Sequence, residues 1–371
     1  MTQSLDLGGS ERQLTQIARA LDRRLFTPHV GYFRPGGVRE QELRAAGIPL
    51  VQFPVSSFLQ WSAMSSARML RRYLREHHIR LVHSFDTPAN IFTAVWARAS
   101  GVATLLTSQR AHRGLVSAGR RRLLRMCDRR AHGIVVNCEF LRQHLIVDEA
   151  VPPGHIHVCY NGVDLAEFRQ AAPRGADRPG RPAALSGAGL VIGTVCALRP
   201  EKDLATLLKA FDSLARSDQS LRLVIVGHGP SSEETRSLAA RLDSASRIHF
   251  ERGVSDVSEW LHAFDIFVLP SLSEAFSNSL LEAMACGCAV VASRTGGNPE
   301  IVGADETRGL LFPPGDAGAL EQALLRLLTD SALRVRLAAA GAAFVRAQFS
   351  LDASVQHMQE IYRTAMSQSG R

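Results

Sequence analysis

The sequence predicts an α/β protein of two domains with parallel sheets, and three observations carry that expectation. The chain has 371 residues, too many for one ordinary core and a comfortable length for two domains. Along it, short apolar β-rich runs alternate with helical patterns and brief turns, which implies parallel strands covered by helices on both faces. One stretch, 171–189 (AAPRGADRPGRPAALSGAG), is rich in Pro, Gly and Ala and poor in large apolar residues, so it reads as a linker. The expected organisation is therefore a first domain over 1–170, a linker over 171–189, a second domain over 190–350 and a last helical segment within 351–371.

The elements follow from the same patterns. In the first domain, Ser10–Leu21 reads as an amphipathic helix, His29–Phe33 as a strand and Ala67–His77 as a helix. Leu81–His83 and Thr104–Thr107 end strands, and Ile134–Asn137 forms another. In the second domain, Leu190–Leu198 is a buried strand, Leu204–Ala215 a helix, Leu221–Val226 a strand and Glu233–Leu242 a helix. Arg247–Phe250 is a short strand and Val257–Phe264 a helix; the strands Asp265–Pro270 and Ala289–Ala292 flank the helix Asn278–Ala285. The final helical pattern covers Leu351–Met366.

The start is the odd element. A sheet of this kind opens with a central strand feeding the Gly8-Gly9 turn. Only seven residues precede Gly8, and Met1–Asp6 is too polar for that role. Either the strand is very short or the natural chain starts upstream of Met1; the second reading is favoured.

Composition narrows the class. Apolar residues make up 46% of the chain, as in a folded globular protein. No apolar run approaches the roughly 18–20 residues of a membrane-spanning helix, and the start lacks the pattern of a signal peptide. Six cysteines, at 127, 138, 159, 196, 286 and 288, are scattered without metal-type spacing, which reads as reduced thiols in a cytoplasmic protein. Charge is lopsided: residues 1–175 hold 24 Arg and no Lys against 13 acidic residues, while the remainder is slightly acidic. Residues 110–130 alone hold eight arginines and one acid, and Ala67–His77 adds four arginines. Such a cationic face suits anionic lipid headgroups; a solvated arginine-rich face has the same composition. Nucleic acid is not an expected partner, because no basic strand is interleaved with aromatics.

The strongest chemical pattern is Ser273-Glu274-Ala275-Phe276-Ser277-Asn278-Ser279-Leu280-Leu281-Glu282. Its Ser/Asn cluster signals a helix N-cap just after a strand. The free N–H groups and positive dipole end of such a start suit a diphosphate. Asn278 and Glu282, four apart, share a helix face, so Glu282 can accept from ribose hydroxyls while Glu274 reaches the sugar beyond the phosphates. One glutamate alone would more simply be a solvated residue on a capped helix. The second pattern is Arg199-Pro200-Glu201-Lys202 after the strand Leu190–Leu198. Two cations there would neutralise phosphates and stabilise a leaving nucleoside diphosphate, in place of a divalent metal. The chain has no Asp-x-Asp pair, so no metal and no cofactor are expected.

Weaker signals are Gly8-Gly9 before a helix, Gly227-His228-Gly229-Pro230 after a strand, Asn161-Gly162-Val163-Asp164 and Gly296-Gly297-Asn298-Pro299-Glu300, each of which is also an ordinary turn.

In five places and in order, the chain resembles the family 4 retaining glycosyltransferases of GT-B fold: LDLGGSERQ (5–13), CYNGVDLAEF (159–168), RPEKD (199–203), VGHGP (226–230) and PSLSEAFSNSLLEAMACGCAVVAS (270–293). The resemblance implies two Rossmann-like domains with parallel sheets facing across a cleft, and a last helix crossing back to the first domain. It implies a metal-independent hexosyltransferase that moves sugar from a nucleotide-diphosphate sugar, with retention, to an acceptor. Within it, Glu282 binds the donor ribose, Glu274 contacts the donor sugar, and Arg199 and Lys202 hold the diphosphate. Backbone around Phe276, Ser277 and Asn278 contacts phosphate, Gly227 lines the donor site, and Gly8 and Gly9 approach the phosphate from the other domain. The departing phosphate helps deprotonate the acceptor. Many relatives carry a His after the strand matching Thr104–Thr107; here Arg110 and His112 are the candidates for its role.

With the basic first domain, this yields an expected acceptor that is lipid-linked or a surface-polysaccharide intermediate, and a cytoplasmic protein peripheral on the inner face of the membrane. Base selection is expected near Glu251-Arg252-Gly253. The rivals are a nucleotide-sugar epimerase or phosphorylase on the same architecture, and a catalytically silent binding protein; an assay of donor hydrolysis or transfer separates them.

Overall fold

The computed structural model describes residues 1–6, 8–55, 61–169, 182–252 and 256–369. The chain divides into two compact units, one of Met1–Gly162 with Leu351–Arg371 and one of Val163–Ser350.

The first unit runs α1 (Gly9–Ala20), β1 (Val30–Tyr32), α2 (Arg39–Ala45), β2 (Leu50–Gln52), α3 (Trp61–Glu76), β3 (Leu81–Ser84), α4 (Thr87–Ala99), β4 (Thr104–Gln109), α5 (Ala118–Arg130), β5 (Gly133–Val136), α6 (Glu139–Val147) and β6 (Ile156–Val158). Strands β3-β4-β5-β6 form one parallel sheet and β1-β2 a parallel pair. Residues 1–3 stand between β1 and β3. Thr2 N–H donates to Gly31 O (3.0 Å), Phe33 N–H to Gln3 O (3.1 Å) and Phe85 N–H to Met1 O (2.9 Å). The doubtful first strand is thus present as these three residues, with Thr2 bridged in parallel to Tyr32. Backbone pairing overrides their polarity.

The second unit runs β7 (Val191–Val195), α7 (Leu204–Ser217), β8 (Arg222–Val226), α8 (Ser232–Ala239), β9 (Ile248–Glu251), α9 (Ser258–Ala263), β10 (Ile266–Leu269), α10 (Asn278–Ala285), β11 (Ala289–Ser293), α11 (Asn298–Val302), β12 (Leu310–Phe312), α12 (Ala317–Thr329) and α13 (Ser331–Gln348). Its six parallel strands lie in the order β12-β11-β10-β7-β8-β9. The order reverses between β7 and β10, and in such sheets a ligand crevice opens at that switch, beyond the strands' carboxyl ends. Helix α7 buries Leu204, Leu207, Leu208, Phe211 and Leu214 against the sheet, the spacing of one helix face.

The last helix, α14 (Leu351–Ser369), packs on the first unit: Tyr362 OH bonds His83 Nδ1 (2.9 Å) and Ser354 Oγ donates to Tyr160 O (2.7 Å). Residues 163–169 group with the second unit rather than ending the first. Val163 N–H donates to Phe349 O (2.8 Å), and His262 Nε2 meets Arg169 O (2.8 Å). Of the linker stretch, 171–181 lies outside the described residues, as does Gly253. Among the described residues no helix is long and apolar enough to cross a membrane.

Candidate active site

The loop from β10 to α10 is held by its neighbours on both sides of the switch point. Leu272 N–H donates to Glu201 O (2.8 Å), Ser293 Oγ to Ser271 O (2.5 Å) and Gly297 N–H to Ala275 O (2.7 Å). Gly296 makes that approach possible: its φ is +55°, and a Cβ there would stand 1.7 Å from Glu274 O. Ser277 then caps α10, its Oγ accepting from Leu280 N–H (3.3 Å), so Asn278 opens the helix. Glu282, one turn in, is 5% exposed, and Phe276 is buried against Phe349.

Lys202, on the short turn after β7, meets this loop. Its Nζ lies 2.5 Å from Glu274 Oε2, which also accepts from Ser271 Oγ (3.3 Å). Burial draws the Lys202 ammonium's pKa down, but Coulomb attraction to Glu274 and the hydrogen bond the ammonium donates to it outweigh burial and leave the pKa raised. A fixed cation, its carboxylate and a capped helix start therefore share the β7/β10 edge. Arg199, at the start of the same turn, stays outside this ion pair, its guanidinium 60% exposed and 3.9 Å from Glu201. Gly227, at the end of β8, has φ +146° with its Cβ position 1.9 Å from Cys196 O, which holds the β7 and β8 loops in register.

The remaining expected site residues belong to the first unit. Gly8 precedes α1 and Gly9 opens it. A Cβ on Gly8 would stand 2.1 Å from Glu11 Oε2, so the Glu11 carboxylate folds over the helix start. Burial raises its pKa. Sequence reading passed over Glu11, although a glutamate three residues after a cap position is the spacing of a capping box. Arg110 follows β4 and gives Nη1–H to Asn161 Oδ1 (2.9 Å). His112 packs its ring against that of His144, with centroids 3.7 Å apart and the planes tilted by 33°.

Among the described residues, His112, His144 and Asp148 form the one group whose ligand atoms lie within 4.8 Å of one another. Three of their four ring nitrogens are engaged: Gly114 N–H donates to His112 Nδ1 (3.0 Å), Arg113 N–H to His144 Nε2 (3.3 Å), and His144 Nδ1 bonds Asp148 (2.6 Å). The group is a packed network.

The arginine-rich stretch is only partly a surface. Arg113 is 1% exposed and bidentate to Asp128 (2.7 and 2.8 Å), while the buried Glu149 takes Arg121 (2.5 Å) and Arg125 (2.6 Å). Arg120, Arg122, Arg129 and Arg130 on α5 are exposed, as are Arg68, Arg71, Arg72 and Arg75 on α3.

Two family descriptions match the chain. "Glycosyltransferase Family 4" matches residues 7–167 and "Glycosyl transferases group 1" matches residues 183–344. The D-inositol 3-phosphate glycosyltransferase of Saccharomonospora viridis is 34% identical over 251 residues, covering 64% of this chain and 56% of that protein. The one of Streptomyces griseus subsp. griseus is 31% identical over 316 residues, covering 79% and 64%. The match thus spans less than two thirds of these relatives' length. Among solved structures, Anabaena HepE in complex with UDP-glucose has a TM-score of 0.84 at 21% identity, covering 98% of each chain. Sucrose-phosphate synthase of Thermosynechococcus elongatus has a TM-score of 0.79 at 19% identity, covering 97% and 94%. The fold is GT-B, and the protein belongs to the family 4 glycosyltransferases.

Proposed function

We propose that this chain transfers a hexose from a nucleotide-diphosphate sugar, with retention and without a metal ion, to a lipid-linked or surface-polysaccharide acceptor. The observation that carries it is the meeting of Lys202, Glu274 and the capped start of α10 at the β7/β10 switch point. The donor pyrophosphate lies against the amides of Ser277 and Asn278, with Lys202 and Arg199 neutralising it as the glycosidic bond breaks. Glu282 accepts from the ribose hydroxyls, and Glu274 takes a hydroxyl of the transferred sugar. The leaving phosphate oxygen receives the acceptor's proton, so no separate carboxylate base is required. Solved HepE complexes hold UDP and UDP-glucose, which favours a uridine donor. The exposed arginines of α3 and α5 support a position at the anionic inner face of the membrane, next to the acceptor.

Calorimetry of the full chain against UDP, GDP and ADP tests the donor site. One nucleotide should bind, and Lys202→Ala and Glu282→Ala should each weaken it at least tenfold while the thermal melt persists. Unchanged affinity in both variants removes the assignment.

A further inference from the structure

The carboxyl edge of the first unit's sheet holds two polar groups that the fold leaves unsatisfied. The register pairs Gln109 with Val136, so Arg110 and Asn137 stand side by side, one step beyond β4 and β5. Asn137 is 4% exposed, and its Oδ1 is buried with no hydrogen-bond partner. Arg110 lies over the Phe85 ring (5.0 Å) and bonds Asn161, yet its Nε is buried without a partner. Among the described residues, no carboxylate lies within 4.0 Å of its guanidinium. Burial lowers its pKa to about 10, where an arginine is still a cation at neutral pH. Its electrostatic neighbours are Cys159, whose thiol burial pushes up to about 11, Tyr362, whose phenol burial also raises, and, as the weakest of the three, the Glu11 carboxylate. Contrast Arg113, four residues from Gln109 in the same buried layer, which has Asp128 as a bidentate counterion.

A half-buried guanidinium whose Nε is shut away from water without a partner is costly, and so is an orphaned amide oxygen. Both become favourable when one ligand brings an anion and a hydroxyl. The location fits, because ligands of open parallel sheets sit at the carboxyl edge.

We infer that Arg110 and Asn137 form a site for an acceptor carrying an anionic group. The guanidinium holds a phosphate or carboxylate oxygen through Nε–H, and Asn137 Oδ1 accepts from a hydroxyl of the same molecule. This rests on the transferase reading and specifies its acceptor class: a polyol or sugar headgroup bearing phosphate, or a uronate.

The test follows the Arg110 Nε–H resonance by NMR in the full chain saturated with UDP, identified by its absence in Arg110→Lys. Titration with inorganic phosphate and with acetate, against chloride as control, should shift that resonance with saturation, and the tighter anion names the class. Asn137→Asp places a carboxylate beside Arg110. It should move the resonance before any anion is added and weaken the phosphate response at least tenfold, with the thermal melt retained. A resonance indifferent to both anions, or shifted equally by chloride, overturns the site. Failure of UDP to bind is read separately by calorimetry and sinks the donor reading instead.

Discussion

Lys202 and Glu274, 72 residues apart in sequence, share a 2.5 Å ion pair at the switch point of the second unit's sheet. The carboxylate occupies the cation that a pyrophosphate would use. Glu274→Gln should therefore leave UDP affinity equal or higher, while transfer falls about a hundredfold, in line with losing one charge-assisted contact. Calorimetry and a transfer assay on the same preparation check it; weaker UDP binding in Glu274→Gln would mean the pair is purely structural.

The Gly296 turn sets the position of that carboxylate. Gly296→Ala puts a Cβ on Glu274 O in a left-handed backbone, so stability should drop by about 1–3 kcal/mol or more. Glu274 should shift with it, and transfer should fail even at temperatures where the variant stays folded. Denaturant unfolding with parallel kinetics reads both effects.

Burial holds the His83 pKa well below its ordinary value, with the N-terminal amine and Arg110 adding to the effect. Its ring is neutral between Tyr362 OH and Ser108 Oγ. The unfolded chain takes up that proton near pH about 6.5. Its contribution is thus complete above that pH and is lost as pH falls toward the lower folded value. Unfolding followed from pH 7 to pH 5 should show declining stability, with a shallower slope in His83→Asn.

Arg113 is paired inside the first unit, so Arg113→Met leaves Asp128 without its buried counterion. The loss should be roughly 3–5 kcal/mol, read by urea unfolding. Replacing the exposed Arg68, Arg71, Arg120 and Arg122 by Gln should leave stability unchanged and reduce flotation with anionic vesicles severalfold. Equal flotation of the parent with neutral and anionic vesicles would remove the membrane proposal.

Local signals were legible where they act locally. The Ser277 cap and the apolar run after it define Asn278–Ala285, the span found in the structure. Helix α4 was missed because its apolar residues leave little polar face, although Asp86 and Pro88 mark its start as cap and first-turn proline. What spacing could not show was pairing across elements. The Lys202–Glu274 contact depends on β7 and β10 being neighbours, and the division of the arginines depends on where Asp128 and Glu149 are buried. A count of charges in 110–130 treats the buried Arg113 and the exposed Arg122 alike. The difference between them lies wholly in tertiary placement.

The first unit is assembled from two pieces of chain, because α14 returns to it after the whole second unit has been made. Its buried Tyr362–His83 contact joins residues 279 positions apart. During synthesis, residues 1–162 leave the ribosome long before the helix that completes their core, so this half stays unfinished until that helix has emerged. For the same reason, recombination that exchanges first units between relatives has to carry both gene segments. A single crossover would join a sheet to a helix that never evolved to cover it.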